Sequence, residues 1–413
     1  MKRKITAAAA FALCVAMGVC ACSPSEKEDT FTGKEKEELA WQPNLDRISP
    51  EVYADISNLD LKPGTYISVI GKREGTAYWS EVQAGVEQAA EDINKHLGYK
   101  GEDKIKVLYN APADSENIDE QVNILDEELA RYPDVIAVAS VAEDASAVQF
   151  DLAAENGIAV VAFDSRNNYQ GIQCTCMTDN VAAAKEGARK MSEAIEEKGE
   201  ILLIAQDSVS GTAKERTKAV TEEITANYPN VKVVETIYMD QFDDLKMQAA
   251  GVTKEQLAEW TVESSGQTPA DEGEEAMSEE VRTKLEDIRA VADGMTDADV
   301  VARYMEKYPN LKGCFAVNAD AVLLAMDAFE TAENEEDIVL MGFDAGKEQI
   351  AALKNGTIDG LIVQNPFGMG YATVVAAARA ALEIGNEATV DTGYVWVDKE
   401  NMDDPDVKGM LYE

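Results

Sequence analysis

The sequence predicts an α/β fold with two doubly wound parallel sheets. Short apolar runs recur along the chain from about residue 65, and several are almost continuous, as is typical of parallel strands covered on both faces. Segments with a helical period separate these runs, and strands that alternate with helices through right-handed crossovers build doubly wound sheets. The number of runs exceeds a sheet of usual size, so two sheets are favoured over one.

The elements follow from local patterns. In the first helical segment Val82, Val86, Ala89 and Ile93 place an apolar stripe on one face, while acidic residues occupy the other. Residues 182–195 and 372–384 show the same period. The predicted strands are 66–70, 105–109, 135–138, 158–163, 201–204, 231–234, 314–317, 338–341 and 361–363.

The beginning of the chain is typical of an export signal. Residues 2–4 are basic, residues 5–19 are apolar but short for a membrane span, and Cys22 follows Ala21. This resembles a lipoprotein signal over 1–21, with lipidation of Cys22 as the only attachment to the membrane. The alternative is an ordinary secretory signal that happens to contain cysteine. Residues 22–62 are expected to form a tether or leader, whose second half either packs on the body or forms a short helix.

Composition excludes several classes of protein. The 413 residues include 37 Lys and Arg against 78 Asp and Glu, so the net charge is −41, and loss of the signal would make it −44. Nucleic acid is therefore not an expected partner. Because His96 is the single histidine, histidine triads and multi-histidine zinc sites are excluded. Cys174, Cys176 and Cys314 are expected to be small buried residues and not a disulfide framework or metal site.

Polar residues follow many of the predicted strands. In open α/β sheets ligands bind at the carboxyl ends of the strands, and neutral and acidic hydrogen-bonding groups there suit a polyhydroxylated or amide-rich ligand. The alternative is that these residues cap the following helices. Residues 71–75 lack the spacing of a phosphate-binding loop, so no cofactor is expected. No loop has the spacing of an EF-hand, so no metal is expected either. The residues after the strands are Ser140, Asp164, Gln206, Asn318, Asp344 and Gln364.

A set of motifs, in order, is similar to the periplasmic-binding-protein type I family, in its ribose- and galactose-type sugar-binding branch. The resemblance covers residues 65–402, with an acidic insertion at 246–299. The motifs are Gly75-Thr76-Ala77-Tyr78-Trp79, Val161-Ala162-Phe163-Asp164, Thr178-Asp179-Asn180, Ser210-Gly211-Thr212-Ala213-Lys214-Glu215-Arg216, Phe315-Ala316-Val317-Asn318-Ala319-Asp320, Met341-Gly342-Phe343-Asp344, Val363-Gln364-Asn365-Pro366 and the stretch 391–401.

The resemblance implies two lobes joined by three chain crossings, with a sugar bound between them and a hinge that closes on binding. Lobe 1 would comprise 65–178 and 365–394, and lobe 2 would comprise 179–364 and 395–413. The insertion 246–299 would lie on the surface of lobe 2 as a helical hairpin, either contacting a partner or without a role.

The resemblance also implies a set of ligand-binding residues. Aromatic rings would cover the apolar faces of a sugar, and carboxylate, guanidinium and amide groups would bind its hydroxyls. Ser165 stands where ribose binders of the family carry arginine, so the identity of the sugar stays open. The implied residues are Tyr78, Trp79, Asp164, Arg216, Phe242, Asn318, Asp344 and Gln364, with Thr76, Ser140 and Arg166 as further candidates.

We therefore expect a monomeric, extracytoplasmic binding protein that delivers a sugar to the permease subunits of an ABC importer and carries out no covalent chemistry. One alternative is a sensor in which the closed form engages a kinase or chemoreceptor in response to a sugar-like signal or a nucleoside. Another is a secreted glycosidase that uses Asp164 and Asp344 as a carboxylate pair.

Overall fold

A computed structural model describes residues 40–113, 116–253, 279–332 and 338–412. The predicted signal and Cys22 lie outside these residues. Within the described ranges no helix is long and apolar enough to cross a membrane. Cys174, Cys176 and Cys314 are buried free thiols, as predicted.

The first sheet contains six strands, all parallel, in the order β11-β5-β4-β3-β1-β2. Its strands are β1 Tyr66–Ile70, β2 Lys106–Asn110, β3 Val135–Val138, β4 Ala159–Phe163, β5 Thr175–Met177 and β11 Thr389–Asp391. The predicted runs form β1 to β4 in this sheet.

The second sheet also contains six strands, in the order β12-β10-β9-β8-β6-β7, and only its edge strand β12 runs antiparallel to its neighbour. Its strands are β6 Gly199–Ala205, β7 Val231–Tyr238, β8 Leu311–Ala316, β9 Val339–Phe343, β10 Gly360–Gln364 and β12 Tyr394–Val397. Apart from β12, the order matches that of the first sheet position by position, so β4 corresponds to β9 and β3 to β8.

Helices cover both sheets. Short 3₁₀ turns occur at Glu51–Tyr53, Gly101–Asp103 and Met239–Gln241. The α-helices are α1 Gln42–Leu45, α2 Ala77–Leu97, α3 Ile118–Leu129, α4 Ala147–Glu155, α5 Asn180–Ala194, α6 Gly211–Asn227, α7 Phe242–Ala249, α8 Glu279–Asp293, α9 Asp297–Lys307, α10 Ala319–Thr331, α11 Lys347–Asn355, α12 Pro366–Ala381 and α13 Pro405–Lys408.

The chain passes between the two sheets three times: after β5, after β10, and between β11 and β12. Lobe 1 is here the part of the molecule built on the first sheet, and lobe 2 the part built on the second. The predicted class, two doubly wound lobes of mainly parallel strands, is confirmed.

The N-terminus of helix α2 positions three of the predicted site residues, Thr76, Tyr78 and Trp79. Thr76 caps its N-terminus, since its hydroxyl accepts from the Trp79 N–H at 3.2 Å, and Gly98 ends it in the left-handed conformation, φ +71°. The helix packs closely on α12, because a Cβ on Gly85 would lie 2.0 Å from the Phe367 carbonyl oxygen. Glycine at this position therefore allows the two helices to approach each other closely.

Residues 40–62, the end of the predicted leader, pack on the body. Leu45, Ile48 and Tyr53 are buried in the hydrophobic core. Ser49 and Asp391 exchange two backbone hydrogen bonds of 2.8 and 3.0 Å, so the leader adds a bridge at the edge strand of the first sheet. The sequence left open whether this segment packs on the body or forms a short helix. It does both, because it packs on the core and contains helix α1.

The segment predicted as an insertion, 246–299, is described in part. Helix α7 contacts α8, and α9 begins at Asp297 with a capping box formed by Thr296 and Asp299. The stretch 254–278, where the tip of a helical hairpin was predicted, lies outside the described residues.

Candidate functional site

A cavity of about 350 Å³ lies between the lobes, at the carboxyl ends of both sets of strands. Its aromatic wall is formed by Tyr78 and Trp79 at the start of α2, whose rings meet edge to face with centroids 5.2 Å apart. Lobe 1 also contributes Lys72, Thr76, Glu116 and Asp164, and lobe 2 contributes Gln206, Arg216, Asn318, Asp344 and Gln364.

Asp164 directly follows β4 and is buried in the lobe 1 wall. One carboxylate oxygen accepts from the Tyr78 hydroxyl at 2.7 Å, and the other lies 3.1 Å from the Lys72 ammonium. Burial alone would lower the pKa of Lys72, but the negative charges of Asp164 and Glu116 outweigh it and leave that pKa raised. A carboxylate has about four lone-pair sites, so Asp164 retains acceptor capacity toward the cavity.

Asp344 follows β9 and faces the cavity from lobe 2. Its carboxylate accepts from the Gln364 amide at 2.6 Å and from the Ala319 N–H at 3.0 Å. Burial raises the pKa of Asp344, and Asp164 adds to this, whereas Arg216 and the two hydrogen bonds oppose it. Asp344 is thus held in a fixed orientation and, like Asp164, still has lone pairs available.

The two acids occupy corresponding positions in the two lobes. Asp164 has φ +58° and Asp344 has φ +74°, so each adopts the left-handed conformation that non-glycine residues seldom adopt. Each backbone N–H is bonded to the neighbouring strand, Asp164 to the Cys176 carbonyl at 2.9 Å and Asp344 to the Ile362 carbonyl at 2.7 Å. Unfavourable backbone conformations of this kind cluster at functional sites.

Arg216 is buried on α6 beneath the cavity floor. Its Nε donates to Asn180 at 2.8 Å, one Nη donates to the Val317 carbonyl at 2.7 Å, and its guanidinium lies 4.2 Å from the Phe343 ring centroid. Three groups fix the orientation of the guanidinium, and its edge lines the cavity. A rigid fork of donors of this kind is suited to a polar ligand.

Two amide side chains from lobe 2 also line the cavity. Asn318 caps α10, where its oxygen accepts from the Ala321 N–H at 2.9 Å. The Gln206 amide donates to Ser210 and Thr212, while its Oε1 is buried and makes no hydrogen bond to any of the described residues. The helix-capping interpretation is therefore right for Asn318, which nevertheless stays in the cavity wall. Thr76 likewise both caps a helix and lines the cavity.

Glu116, from the loop after β2, is a half-buried cavity residue with unusual protonation. Its pKa is raised to about 7, chiefly by burial; Lys72 opposes the rise, and the nearby Asp207 and Asp164 add to it. Its charge therefore changes close to neutral pH, in contrast to an ordinary glutamate.

The lobes are in contact around the rim of the cavity. Arg73 and Asp320 form an ion pair of 2.9 Å, and Lys214 and Glu143 form one of 3.0 Å, each joining lobe 1 to lobe 2. The Glu143 N–H also donates to the Val209 carbonyl at 3.3 Å. These contacts describe a closed form of the cleft.

Three of the predicted residues lie outside the cavity wall. Phe242 begins α7 and packs into the hydrophobic core, so its ring forms no second aromatic wall. Ser140 is buried, and its hydroxyl accepts from the Asn167 amide at 3.0 Å. Arg166 extends along the rim to Glu215, 2.9 Å away across the lobe boundary.

Four residues at the site were not among the predicted ligand-binding residues. Gln206 directly follows β6 and belongs to the predicted series of polar residues after strands, and Lys72, two residues after β1, could have been found by the same signal. Glu116 lies in a loop with no motif. Tyr412 comes from the last described segment, and its hydroxyl accepts from the Ala345 N–H at 3.1 Å, next to Asp344.

The cavity combines an aromatic wall, buried carboxylates and fixed donors, an arrangement suited to binding and orienting a small polar molecule. Within the described residues no group of three or more His, Cys, Asp and Glu side chains is placed to hold a metal ion. The fold and the site thus define a two-lobed binding protein.

Comparison with known proteins gives the family. The model for a periplasmic binding protein domain matches residues 67–259 and 262–387. The chain belongs to this family. No curated protein is similar enough in sequence to count as a match.

Solved structures share the fold. A carbohydrate transporter solute-binding protein from Agrobacterium radiobacter, in complex with D-arabinose, is 22% identical, with 84% of this chain and 99% of that chain covered and a TM-score of 0.62. An ABC transporter solute-binding protein from Agrobacterium vitis with bound D-fucose is 24% identical, with 84% and 100% covered and a TM-score of 0.63. An arabinose-binding protein from Geobacillus stearothermophilus is 22% identical, with 83% and 99% covered and a TM-score of 0.58.

Proposed function

We propose that the protein captures a monosaccharide between its lobes, outside the cytoplasm, and delivers it to an ABC importer. The observation that carries this proposal is the pair of buried, oriented carboxylates, Asp164 and Asp344, which face one cavity from opposite lobes beside the aromatic wall of Tyr78 and Trp79. Carboxylates accept strong charge-assisted hydrogen bonds from neighbouring hydroxyls, and aromatic rings cover the apolar face of a sugar.

The size of the cavity favours a single sugar ring. Its volume of about 350 Å³ is near the lower end of the range for small-molecule sites. The bound sugars named for the similar structures, D-arabinose and D-fucose, are monosaccharides. Buried donors and acceptors would reject a ligand that lacks a matching hydroxyl, because a buried group would then be left unpaired.

Binding without chemistry is the better-supported activity. Both oxygens of Asp164 are engaged, one by the Tyr78 hydroxyl and one by the Lys72 ammonium. Both oxygens of Asp344 also accept hydrogen bonds. Neither acid has the free, mobile carboxyl that a general acid or a nucleophile of a glycosidase requires.

A thermal-shift screen of the purified protein against monosaccharides, nucleosides and small polyols tests the ligand. A specific ligand at 100 times its Kd stabilises the folded state by about 2.7 kcal/mol. Trp79→Ala and Asp344→Ala should abolish the shift, whereas Asp403→Ala, at an exposed position, should retain it. A shift produced by a non-sugar alone, or a full shift in Asp344→Ala, would refute the proposal.

Anchoring and delivery require tests of their own. We propose that residues 1–21 are removed and that Cys22 is lipidated, so metabolic labelling with a radioactive fatty acid should disappear in Cys22→Ala. Deletion of the gene should abolish uptake of the bound sugar by the cells. Unchanged uptake would instead support the sensor alternative.

A further inference from the structure

Tyr412 connects the two lobes behind the ligand cavity. It lies in the segment after β12, and its side chain is only 5% exposed. The hydroxyl accepts from the Ala345 N–H at 3.1 Å, in the loop that carries Asp344. The ring meets that of Tyr78 at 67° with centroids 6.3 Å apart, and the Tyr78 hydroxyl donates to Asp164. Tyr412 therefore contacts the residue that follows Asp344 and the ring of Tyr78, whose hydroxyl holds Asp164.

Residues 410–412, the short segment that carries Tyr412, are also held by a contact to the leader. Met410 is buried, and its sulfur lies 3.6 Å from the Asn44 amide nitrogen in the leader. The same Asn44 side chain donates to Asn365, which caps α12 at the second chain crossing. Because both ends of this short segment are held, Tyr412 has little freedom to leave the lobe boundary.

Its surroundings keep the Tyr412 hydroxyl neutral. Burial raises the pKa of Tyr412 well above the ordinary tyrosine value, and the charge of Asp344 raises it further. A neutral hydroxyl can accept from the Ala345 N–H while keeping its own proton, whereas an ionised one would repel Asp344. The contact therefore persists across the physiological pH range.

Tyr412 lies beyond the residues that match the family model, which end at 387. We propose that Tyr412 is a positioning residue of the ligand site, which holds the Asp344 loop through the Ala345 N–H and holds Asp164 through the Tyr78 ring. This inference rests on the proposed function, because its measurable consequence is ligand affinity. Without the hydroxyl, the buried Ala345 N–H loses its partner and Asp344 is less well oriented.

The test compares Tyr412→Phe with a matched control, Tyr169→Phe. The control removes a hydroxyl that donates to Asp151 at 2.9 Å on the surface of lobe 1, far from the cavity. D-arabinose, D-fucose, D-galactose and D-glucose are titrated into each protein by calorimetry. Tyr412→Phe should raise Kd by roughly 2- to 10-fold, the range for one lost hydrogen bond. The ligand-free Tm of Tyr412→Phe should fall below that of the control variant, because the buried Ala345 N–H is left without its partner.

An unchanged Kd in Tyr412→Phe would overturn the inference. If the ligand-free Tm falls while Kd stays unchanged, the role of Tyr412 is purely structural. If the wild-type protein binds none of the four sugars, the monosaccharide with the largest effect in the thermal-shift screen replaces them, and if no monosaccharide has an effect the proposed function fails. In that case hydrogen–deuterium exchange of the ligand-free protein decides the inference separately. Faster exchange at the Ala345 amide in Tyr412→Phe, but not in Tyr169→Phe, would support it, and equal exchange would overturn it.

Discussion

The buried ion pair between Lys72 and Asp164 gives a sharp prediction about stability. The Lys72 side chain is 2% exposed and that of Asp164 6%, and the ammonium lies 3.1 Å from the carboxylate. Lys72→Met keeps much of the aliphatic stem but leaves Asp164 buried without its cation. Removing one partner of a buried pair destabilises a protein by about 3–5 kcal/mol, a large part of the roughly 5–15 kcal/mol of a typical domain.

The pH at which stability is measured is chosen from the direction in which folding shifts the pKa of Lys72. That pKa is raised in the folded protein, so the stabilising contribution is fully present below the ordinary lysine pKa of about 10.4 and is lost only as pH rises through the folded value. Urea denaturation at pH 7.5, with linear extrapolation to water, therefore reports the whole effect.

Lys198→Met is the matched control, because Lys198 pairs with Glu196 on the surface, where both side chains are at least 70% exposed. An exposed pair contributes about 0–1 kcal/mol. A double variant, Lys72→Met with Asp164→Asn, should recover much of the lost stability, because asparagine removes the unpaired charge, tolerates the left-handed conformation and can still accept from the Tyr78 hydroxyl. If Lys72→Met has no larger effect than Lys198→Met, the pair does not have the role given to it here.

Three further predictions concern pH, closure and packing. The pKa of Glu116 is raised from 4.5 to about 7, so its ionisation destabilises the folded state. As the pH rises from 4.5 to about 7, the unfolding free energy of the wild type should therefore fall relative to that of Glu116→Gln. A difference that stays constant over this pH range would contradict the prediction. Arg73→Asp and Asp320→Arg each break an ion pair between the lobes and should each weaken ligand binding by up to about fivefold at low salt. In the double variant with the two charges exchanged, calorimetry should show that the affinity recovers. Additive losses of affinity would exclude a direct pair. Gly85→Ala should lower stability by about 1–3 kcal/mol in thermal unfolding, because its Cβ would lie 2.0 Å from the carbonyl oxygen of a neighbouring helix. Gly294→Ala, with its nearest atom at 3.5 Å, should change stability by less than about 0.5 kcal/mol, and equal effects would refute the packing argument.

The long strands and helices are predictable because their signals are local. The apolar runs that form β1 and β9, and the periodic stripe of α2, need no knowledge of distant residues. Strands β5 and β11 contain three residues each, which is too short for a periodic pattern. They are strands because each pairs with a neighbour far away in the sequence.

The site shows the same division between local and distant information. Asp164 and Asp344 were predictable as cavity residues, because the carboxyl end of a parallel strand has a known location in this fold. The direction of a side chain outside a strand is set by packing, so Phe242 turns into the core and Arg166 extends along the rim. Tyr412 is placed behind the cavity wall by tertiary contacts alone, and no sequence motif marks it.

A crystal structure of the protein with the compound that binds most tightly in the thermal-shift screen would show whether the cavity between the lobes is a sugar site. We predict a single monosaccharide ring in the cavity between the lobes, stacked on Trp79 and within hydrogen-bonding distance of both Asp164 and Asp344. A ligand bound elsewhere, or a non-sugar occupying this cavity without contact to the two carboxylates, would contradict the account.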